Sequence, residues 1–124
     1  MQRALPCMQR DPRELLYDVK EACGAIREFC AGHNAADYSR DRMLRSACER
    51  QFEIVGEAMS RLRDRHPATF AQIELGREII AFRNRLIHGY DSVDSEIVWD
   101  VIQHKLPALD RRVAELLVSA DPGE

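Results

Sequence analysis

The chain contains 124 residues, of which 45% are hydrophobic and 31% charged, and its formal net charge is −3. This length suits one domain with one hydrophobic core, so we predict a single domain over residues 1–124 with an ordered core at about residues 11–118 and short tails. No stretch approaches the ~18 consecutive apolar residues of a membrane span, and the N-terminus lacks the apolar core of a secretion signal. We expect a cytoplasmic protein with no membrane partner. The acidic charge argues against nonspecific nucleic-acid binding by the whole surface.

The cysteines show no metal-binding pattern. None of the four forms a CxxC pair or a zinc-type cluster with histidine: Cys7, Cys23, Cys30 and Cys48. Cys23 and Cys30 lie on the apolar face of a predicted helix. We expect reduced thiols that act as small core hydrophobes, and neither a metal ion nor another cofactor.

Two amphipathic helices are predicted in the first half of the chain. The first begins with Asp11 as N-cap and Pro12 at the first helical position, and Gly32 marks its end. The second runs from about Ser39 to Arg65, and Pro67 ends it because the residue before a proline resists the α conformation. Both carry a wide apolar stripe of helical period.

Two further helices are predicted in the second half. The third covers about Ile73 to Ile87, with Gly89 as its terminator. The fourth starts near Asp94, and Pro107 lies inside its apolar pattern, where a proline kinks a helix. Strand-type alternation is nearly absent. The sequence therefore predicts an all-α protein, an antiparallel four-helix bundle with a kinked fourth helix.

Arg83 is the unusual residue of the third helix. Residues three and four apart share a helix face, so Arg83 lies between Ile79 and Ile80 on one side and Leu86 and Ile87 on the other. A charge in an apolar stripe is costly unless it is paired or used. The sequence alone is compatible with two interpretations of Arg83: a structural ion pair, or a functional use of its charge.

Polar groups flank Arg83 on the same helix. At about 100° per residue, Arg77, Asn84 and His88 fall along one edge of the apolar stripe, and Tyr90 follows closely. A guanidinium grips phosphate oxygens and offsets charge developing at phosphorus, and an imidazole moves protons near neutral pH. Cleavage of RNA by its own 2′-hydroxyl needs little more than these groups and no metal ion.

The same residues can also be interpreted as purely structural rather than as a site for RNA cleavage. Arg83 could pair with Glu53 or Glu57 of the second helix, and His88 could simply cap carbonyls at the helix end. Under these readings the chain is a helical scaffold.

The string RNRLIHGY, at residues 83–90, resembles the signature of HEPN-domain ribonucleases, in which an arginine and a polar residue precede a histidine. The extended His-x-Tyr form is similar to the HepT toxins of HepT/MntA toxin–antitoxin pairs. FEIVGEAMSRL in the second helix and DSVDSEIVWDVIQHKLPAL after the motif also resemble that family. The resemblance extends from about Asp11 to Leu117 and implies a HEPN-like helical domain.

The resemblance also implies roles for individual residues. Arg83 and His88 would be catalytic, the first stabilising the transition-state phosphate and the second acting as general acid or base on RNA. Asn84 and Arg77 would position the phosphate or substrate. Tyr90 would be modified with AMP by a cognate MntA-like nucleotidyltransferase, the antitoxin, and the added charge would block RNA.

A homodimer is the further implication of the resemblance. The two motifs would face one cleft, so the apolar stripe around Arg83 would be partly a subunit interface. The implied function is a metal-independent endoribonuclease toxin. The alternative is a catalytically silent HEPN subunit or helical scaffold that docks a nucleotidyltransferase.

Overall fold

Helices make up nearly all of the chain that the computed structural model describes, which is residues 11–88 and 93–119. These ranges contain seven α-helices and one π-helical segment, which confirms the all-α class. They are α1 (Pro12–Cys30), α2 (Ala35–Arg40), α3 (Arg42–Arg65), α4 (Pro67–Phe70), α5 (Gly76–His88), α6 (Ser95–Asp100), the π segment (Val101–Lys105) and α7 (Leu106–Ser119).

The first helix begins and ends as predicted. The side chain of Asp11 accepts a hydrogen bond from the backbone N–H of Arg13 at 2.6 Å, and Pro12 occupies the first helical position. Beyond the helix, Gly32 has a φ of +81°, a left-handed conformation that glycine adopts without strain.

The predicted second helix is two helices in the structure. The chain breaks at Asp41, whose carboxylate accepts a hydrogen bond from the N–H of Leu44 and so caps α3. A separate capping box, formed by Asn34 and Asp37, starts α2 earlier than predicted. The predicted end before Pro67 is confirmed, but the short helix α4 that follows it was not predicted.

The predicted fourth helix is continuous from α6 through the π segment to α7, and Asp94 caps it as expected. The interruption assigned to Pro107 takes the form of the π segment, in which the N–H of Leu106 donates to the carbonyl of Val101. A proline ring crowds the carbonyl four residues earlier in an α-helix, and the wider π turn precedes it here.

Helix α3 occupies the centre of the bundle. It packs against α1 on one side and α5 on another, while α7 packs against α1. The Phe52 and Phe82 rings meet edge to face, with centroids 5.1 Å apart, and this contact joins α3 to α5 next to Arg83. Trp99 packs on the buried ring of Tyr38, with ring centroids 5.7 Å apart.

One buried carboxylate joins α1 to α7. Asp110 is 5% exposed and accepts hydrogen bonds from Lys20 at 3.0 Å and from Arg27 at 2.8 Å. Burying an unpaired carboxylate is unfavourable, and the two neighbouring cations compensate for its negative charge. This ion cluster was not predicted from the sequence.

The cysteines within the described ranges are free and buried, as predicted. The sulfurs of Cys30 and Cys48 lie 3.6 Å apart. Burial raises the pKa of all three thiols, that of Cys23 to about 12. They act as core residues, whereas Cys7 lies outside the described residues.

No helix in the described part of the chain combines the length and the apolar character needed to cross a bilayer.

We predict that Phe52→Ala lowers the free energy of unfolding by about 3–5 kcal/mol, because it leaves a cavity where α3 meets α5. Urea denaturation measures the change. Met43→Ala is the matched control on the same helix: Met43 is 81% exposed, so its change stays within about 0.5 kcal/mol. A loss below about 1 kcal/mol for Phe52→Ala would show that this aromatic contact does not hold α5 in place.

Candidate active site

Helix α5 presents the motif residues on two different faces. Ile79, Ile80 and Phe82 are buried against the core. Arg83 follows them into the α3–α5 interface, where its side chain is 13% exposed. The stripe is not buried throughout, because Ile87 is 47% exposed.

Two neutral oxygen atoms hold the guanidinium of Arg83. Its Nε donates to Oδ1 of Asn84 at 2.8 Å, and its Nη2 donates to Oγ of Ser60 on α3 at 3.2 Å. The amide of Asn84 is therefore in direct contact with Arg83, and its role in positioning the phosphate stays a prediction. Neither oxygen carries a charge, so these contacts leave the positive charge of Arg83 in place.

Glu57 is the carboxylate nearest to Arg83 within residues 11–88 and 93–119. Its Oε1 lies 3.8 Å from Nη1 of Arg83, beyond hydrogen-bond distance, and its side chain is 56% exposed. Its other oxygen accepts a hydrogen bond from Nε of Arg61 at 3.0 Å. Glu53, the other predicted partner, pairs with Arg50 at 3.1 Å. The structural ion pair considered for Arg83 is thus a long, solvent-exposed contact.

A groove of about 530 Å³ lies beside Arg83, between α1, α3 and α5. Its walls combine apolar side chains with three arginines and three carboxylates, so formal charges along it balance. The lining residues are Leu15, Asp18, Arg50, Glu53, Ile54, Glu57, Ala58, Arg61, Arg83 and Ile87. A single chain therefore offers a groove of mixed charge with one partly buried arginine, Arg83, at its edge.

His88 is the exposed last residue of α5. It lies five residues after Arg83, which corresponds to about 7.5 Å along the helix axis and about 140° around it. Among the described residues no hydrogen bond or ion pair joins the two side chains. One chain thus brings Arg83 and Asn84 into contact, but it does not bring His88 against Arg83.

Of the two remaining predicted residues, Arg77 and Tyr90, the structure describes Arg77. Arg77 is exposed in the first turn of α5, about 9 Å along the axis from Arg83 and about 16 Å from His88. This distance places Arg77 apart from both Arg83 and His88. Tyr90 and the predicted terminator Gly89 lie outside the described residues.

Gly56 and Ser60 of α3 belong to the site but were not predicted. A Cβ added at Gly56 would lie 2.4 Å from Cγ and 2.6 Å from Cβ of Arg83, so the arginine stem lies directly on the glycine backbone. Both residues lie within FEIVGEAMSRL. The sequence signal that could have identified them is the spacing of four residues between the glycine and the serine, which places both on one face of the helix.

Elsewhere in the described part of the chain, we find no second cluster of the predicted site residues and no metal site. In the described ranges no three His, Cys, Asp or Glu side chains lie close enough to hold a metal ion. A pocket of about 290 Å³ between α5 and the α6–π segment is mainly apolar. It includes Arg85 and the Lys105–Glu78 ion pair, but none of the predicted site residues.

We predict that Glu57→Gln changes the free energy of unfolding by less than about 1 kcal/mol, because exposed, long ion pairs contribute little. Urea denaturation measures the change, and Glu53→Gln, one turn earlier on the same helix, is the control. A loss of about 3 kcal/mol or more would identify Arg83–Glu57 as a desolvated structural pair.

Comparison with known proteins agrees with this fold and motif. Residues 19–116 match the model of the family described as Ribonuclease HepT-like. A protein of Caldanaerobacter subterraneus subsp. tengcongensis, provisionally named an RNase, is 31% identical over 108 residues, covering 87% of this chain and 96% of the relative.

Two archaeal relatives show similar coverage. One from Methanocaldococcus jannaschii, also provisionally named an RNase, is 28% identical over 85% of this chain and 95% of its own length. One from Thermococcus cleftensis, provisionally named ribonuclease HepT, is 29% identical over 88% of this chain and 98% of its own length. No solved structure matches the chain. The family match over most of the chain, together with the helical fold and the Arg83 motif, shows that this chain belongs to the HepT-like ribonuclease family.

Proposed function

We propose that the chain is a metal-independent endoribonuclease in which Arg83 binds the scissile phosphate and His88 transfers protons. The observation that carries this proposal is the environment of Arg83. Its guanidinium lies at the edge of a groove, 13% exposed, and donates to uncharged oxygens of Ser60 and Asn84. It keeps a positive charge available to an incoming anion in a partly desolvated place, where electrostatic attraction is strong.

The proposed reaction uses the RNA's own nucleophile. The 2′-hydroxyl loses its proton to a general base and attacks phosphorus, while the 5′-oxygen leaves and takes a proton from a general acid. The products are a 2′,3′-cyclic phosphate and a free 5′-hydroxyl. Arg83 stabilises the additional negative charge on the phosphate oxygens in the transition state, and His88 serves as base or acid.

A homodimer is part of the proposal, and it accounts for the separation of His88 from Arg83 within one chain. Ile87 is 47% exposed and lines the groove with the partly buried Ile54, so these two side chains form an apolar patch that adjoins Arg83. A second copy that covers this patch would bring the partner's His88 toward the same cleft. Two imidazoles would then be available for the two proton transfers.

The proposed biological setting is a toxin–antitoxin system. A cognate MntA-like nucleotidyltransferase would transfer AMP from ATP to the phenol oxygen of Tyr90, two residues after His88, and release pyrophosphate. The added phosphate carries negative charge and bulk, so it would repel RNA from the cleft. The family match and the position of this tyrosine in the motif support the proposal.

A catalytically silent subunit that docks a nucleotidyltransferase is the second candidate. It is favoured by the limited exposure of Arg83 and by the contacts that side chain makes within its own chain. RNA cleavage by the wild-type protein separates the two candidates, because a silent subunit cuts no RNA. Arg83→Met keeps the stem on Gly56 and removes the charge, so a catalytic Arg83 predicts a folded variant that has lost the cleavage seen in the wild type. Unchanged cleavage would exclude a catalytic Arg83.

We predict that the purified protein cleaves single-stranded RNA in excess EDTA and leaves cyclic phosphate ends, detected by mass spectrometry. Arg83→Ala lowers the rate by about 10²–10³-fold and His88→Ala by about 10²–10⁴-fold. Arg85→Ala is the matched control, an exposed arginine on the same helix that lines the other pocket, and it keeps the wild-type rate. Cleavage that is lost in EDTA, or equal in all variants, contradicts the proposal.

We predict that Ile87→Glu converts the dimer to a folded monomer, because it places a charge in the apolar patch beside Arg83. Analytical ultracentrifugation measures the mass, and circular dichroism checks the helix content. The control is Ile97→Glu, since Ile97 is 41% exposed on α6, away from the patch. A wild-type monomer, or a dimer that dissociates only with Ile97→Glu, would refute the shared cleft.

A further inference from the structure

We propose that Gly56 and Ser60 are positioning residues that hold Arg83 in its phosphate-binding orientation. This inference rests on the function proposed above and names two residues of α3 on which the arginine of α5 depends. They act on opposite ends of the same side chain: the glycine on its stem and the serine on its guanidinium.

Gly56 sets where the stem of Arg83 can lie. A Cβ at this position would be 2.4 Å from Cγ and 2.6 Å from Cβ of Arg83. Cγ can turn away by a change of side-chain rotamer, but Cβ is fixed to the backbone of α5. Relieving that second contact therefore requires α5 to move away from α3. The absence of a side chain at Gly56 is thus a condition for the observed arginine position.

Ser60 and Asn84 set the orientation of the guanidinium. They engage Nη2 and Nε, at 3.2 and 2.8 Å, so the planar group is held at two of its three nitrogens. An arginine has five N–H donors. One on Nε and one on Nη2 are used, which leaves the pair on Nη1 and one on Nη2. These adjacent nitrogens form the edge that takes a phosphate through two parallel hydrogen bonds.

The uncharged nature of Ser60 is also required. A carboxylate at hydrogen-bond distance would offset the charge that the phosphate must meet, and Glu57 remains at 3.8 Å while it accepts from Arg61. A hydroxyl orients the guanidinium without competing with an anion. The site therefore combines restraint of the arginine with retention of its charge.

The first experiment compares Gly56→Ala with Gly24→Ala. Both replace a glycine inside a helix, but nothing lies within 4 Å of a Cβ at Gly24. We expect Gly56→Ala to lower kcat by about 100-fold, since a displacement of about 1 Å at a reacting group has that effect. Gly24→Ala keeps wild-type kcat. Equal activity of the two variants would overturn the role of Gly56.

The second experiment compares Ser60→Ala with Ser60→Thr. Loss of the hydroxyl should lower kcat about tenfold with little change in KM, as expected for the loss of one hydrogen bond to a charged group. Threonine keeps a hydroxyl and should restore the rate. Ser46→Ala, at an exposed serine on the same helix, is the control. A loss of stability with unchanged kcat, or no rescue by threonine, would show a purely structural serine.

A direct readout separates failure of this inference from failure of the proposed function. The Nε–Hε resonance of Arg83 in ¹⁵N-arginine-labelled protein reports its restraint without any RNA. We expect protected, slowly exchanging Hε in the wild type and faster exchange in Gly56→Ala and Ser60→Ala. If the wild type cuts no RNA but this pattern holds, the function is wrong and the restraint is right. If all three proteins exchange alike, the positioning role is wrong.

Discussion

The positive charge of Arg83, held between two helices by uncharged groups, is the interaction on which the site depends. Its stem crosses α3 at Gly56 and its guanidinium donates to Ser60 and Asn84. The surrounding structure serves this placement: the Phe52–Phe82 contact fixes α5 against α3 one residue before the arginine. Because the side chain of Arg83 is 13% exposed, the proposed attraction between its guanidinium and an anion in the groove would be little screened by water.

Asp110 provides the contrast within the same molecule. Its buried carboxylate forms ion pairs with Lys20 at 3.0 Å and with Arg27 at 2.8 Å. These pairs join α1 to α7, and the opposite charges compensate each other. Among the described residues, the carboxylate within 4 Å of the Arg83 guanidinium is the exposed one of Glu57, at 3.8 Å. Arg27 donates to a charged carboxylate and serves the fold, whereas the two hydrogen-bond acceptors of Arg83 are uncharged. This difference supports the proposal that Arg83 binds an anion.

Much of this organisation could be predicted from the sequence, because local signals determine it. Helix caps at Asp11 and Asp94, the stop before Pro67 and the apolar stripes depend on near neighbours in the chain. The break at Asp41 was not predicted, because an aspartate that caps a helix and an exposed aspartate within a helix look alike in the sequence. The roles of Gly56, Ser60 and Asp110 depend on which residues meet across helices, and helical period alone does not specify that register. Likewise, the sequence placed His88 near Arg83, whereas the helix separates them in one chain.

The most direct test of the account is a titration of ¹⁵N-arginine-labelled protein with a short RNA whose 2′-hydroxyls are methylated, so that it binds without being cut. We expect the Nε–Hε resonance of Arg83 to shift and saturate with the RNA, while that of Arg27, which is paired with Asp110, stays unchanged. A resonance of Arg83 that does not move when other arginines respond to the RNA would show that its charge serves the fold and not the phosphate.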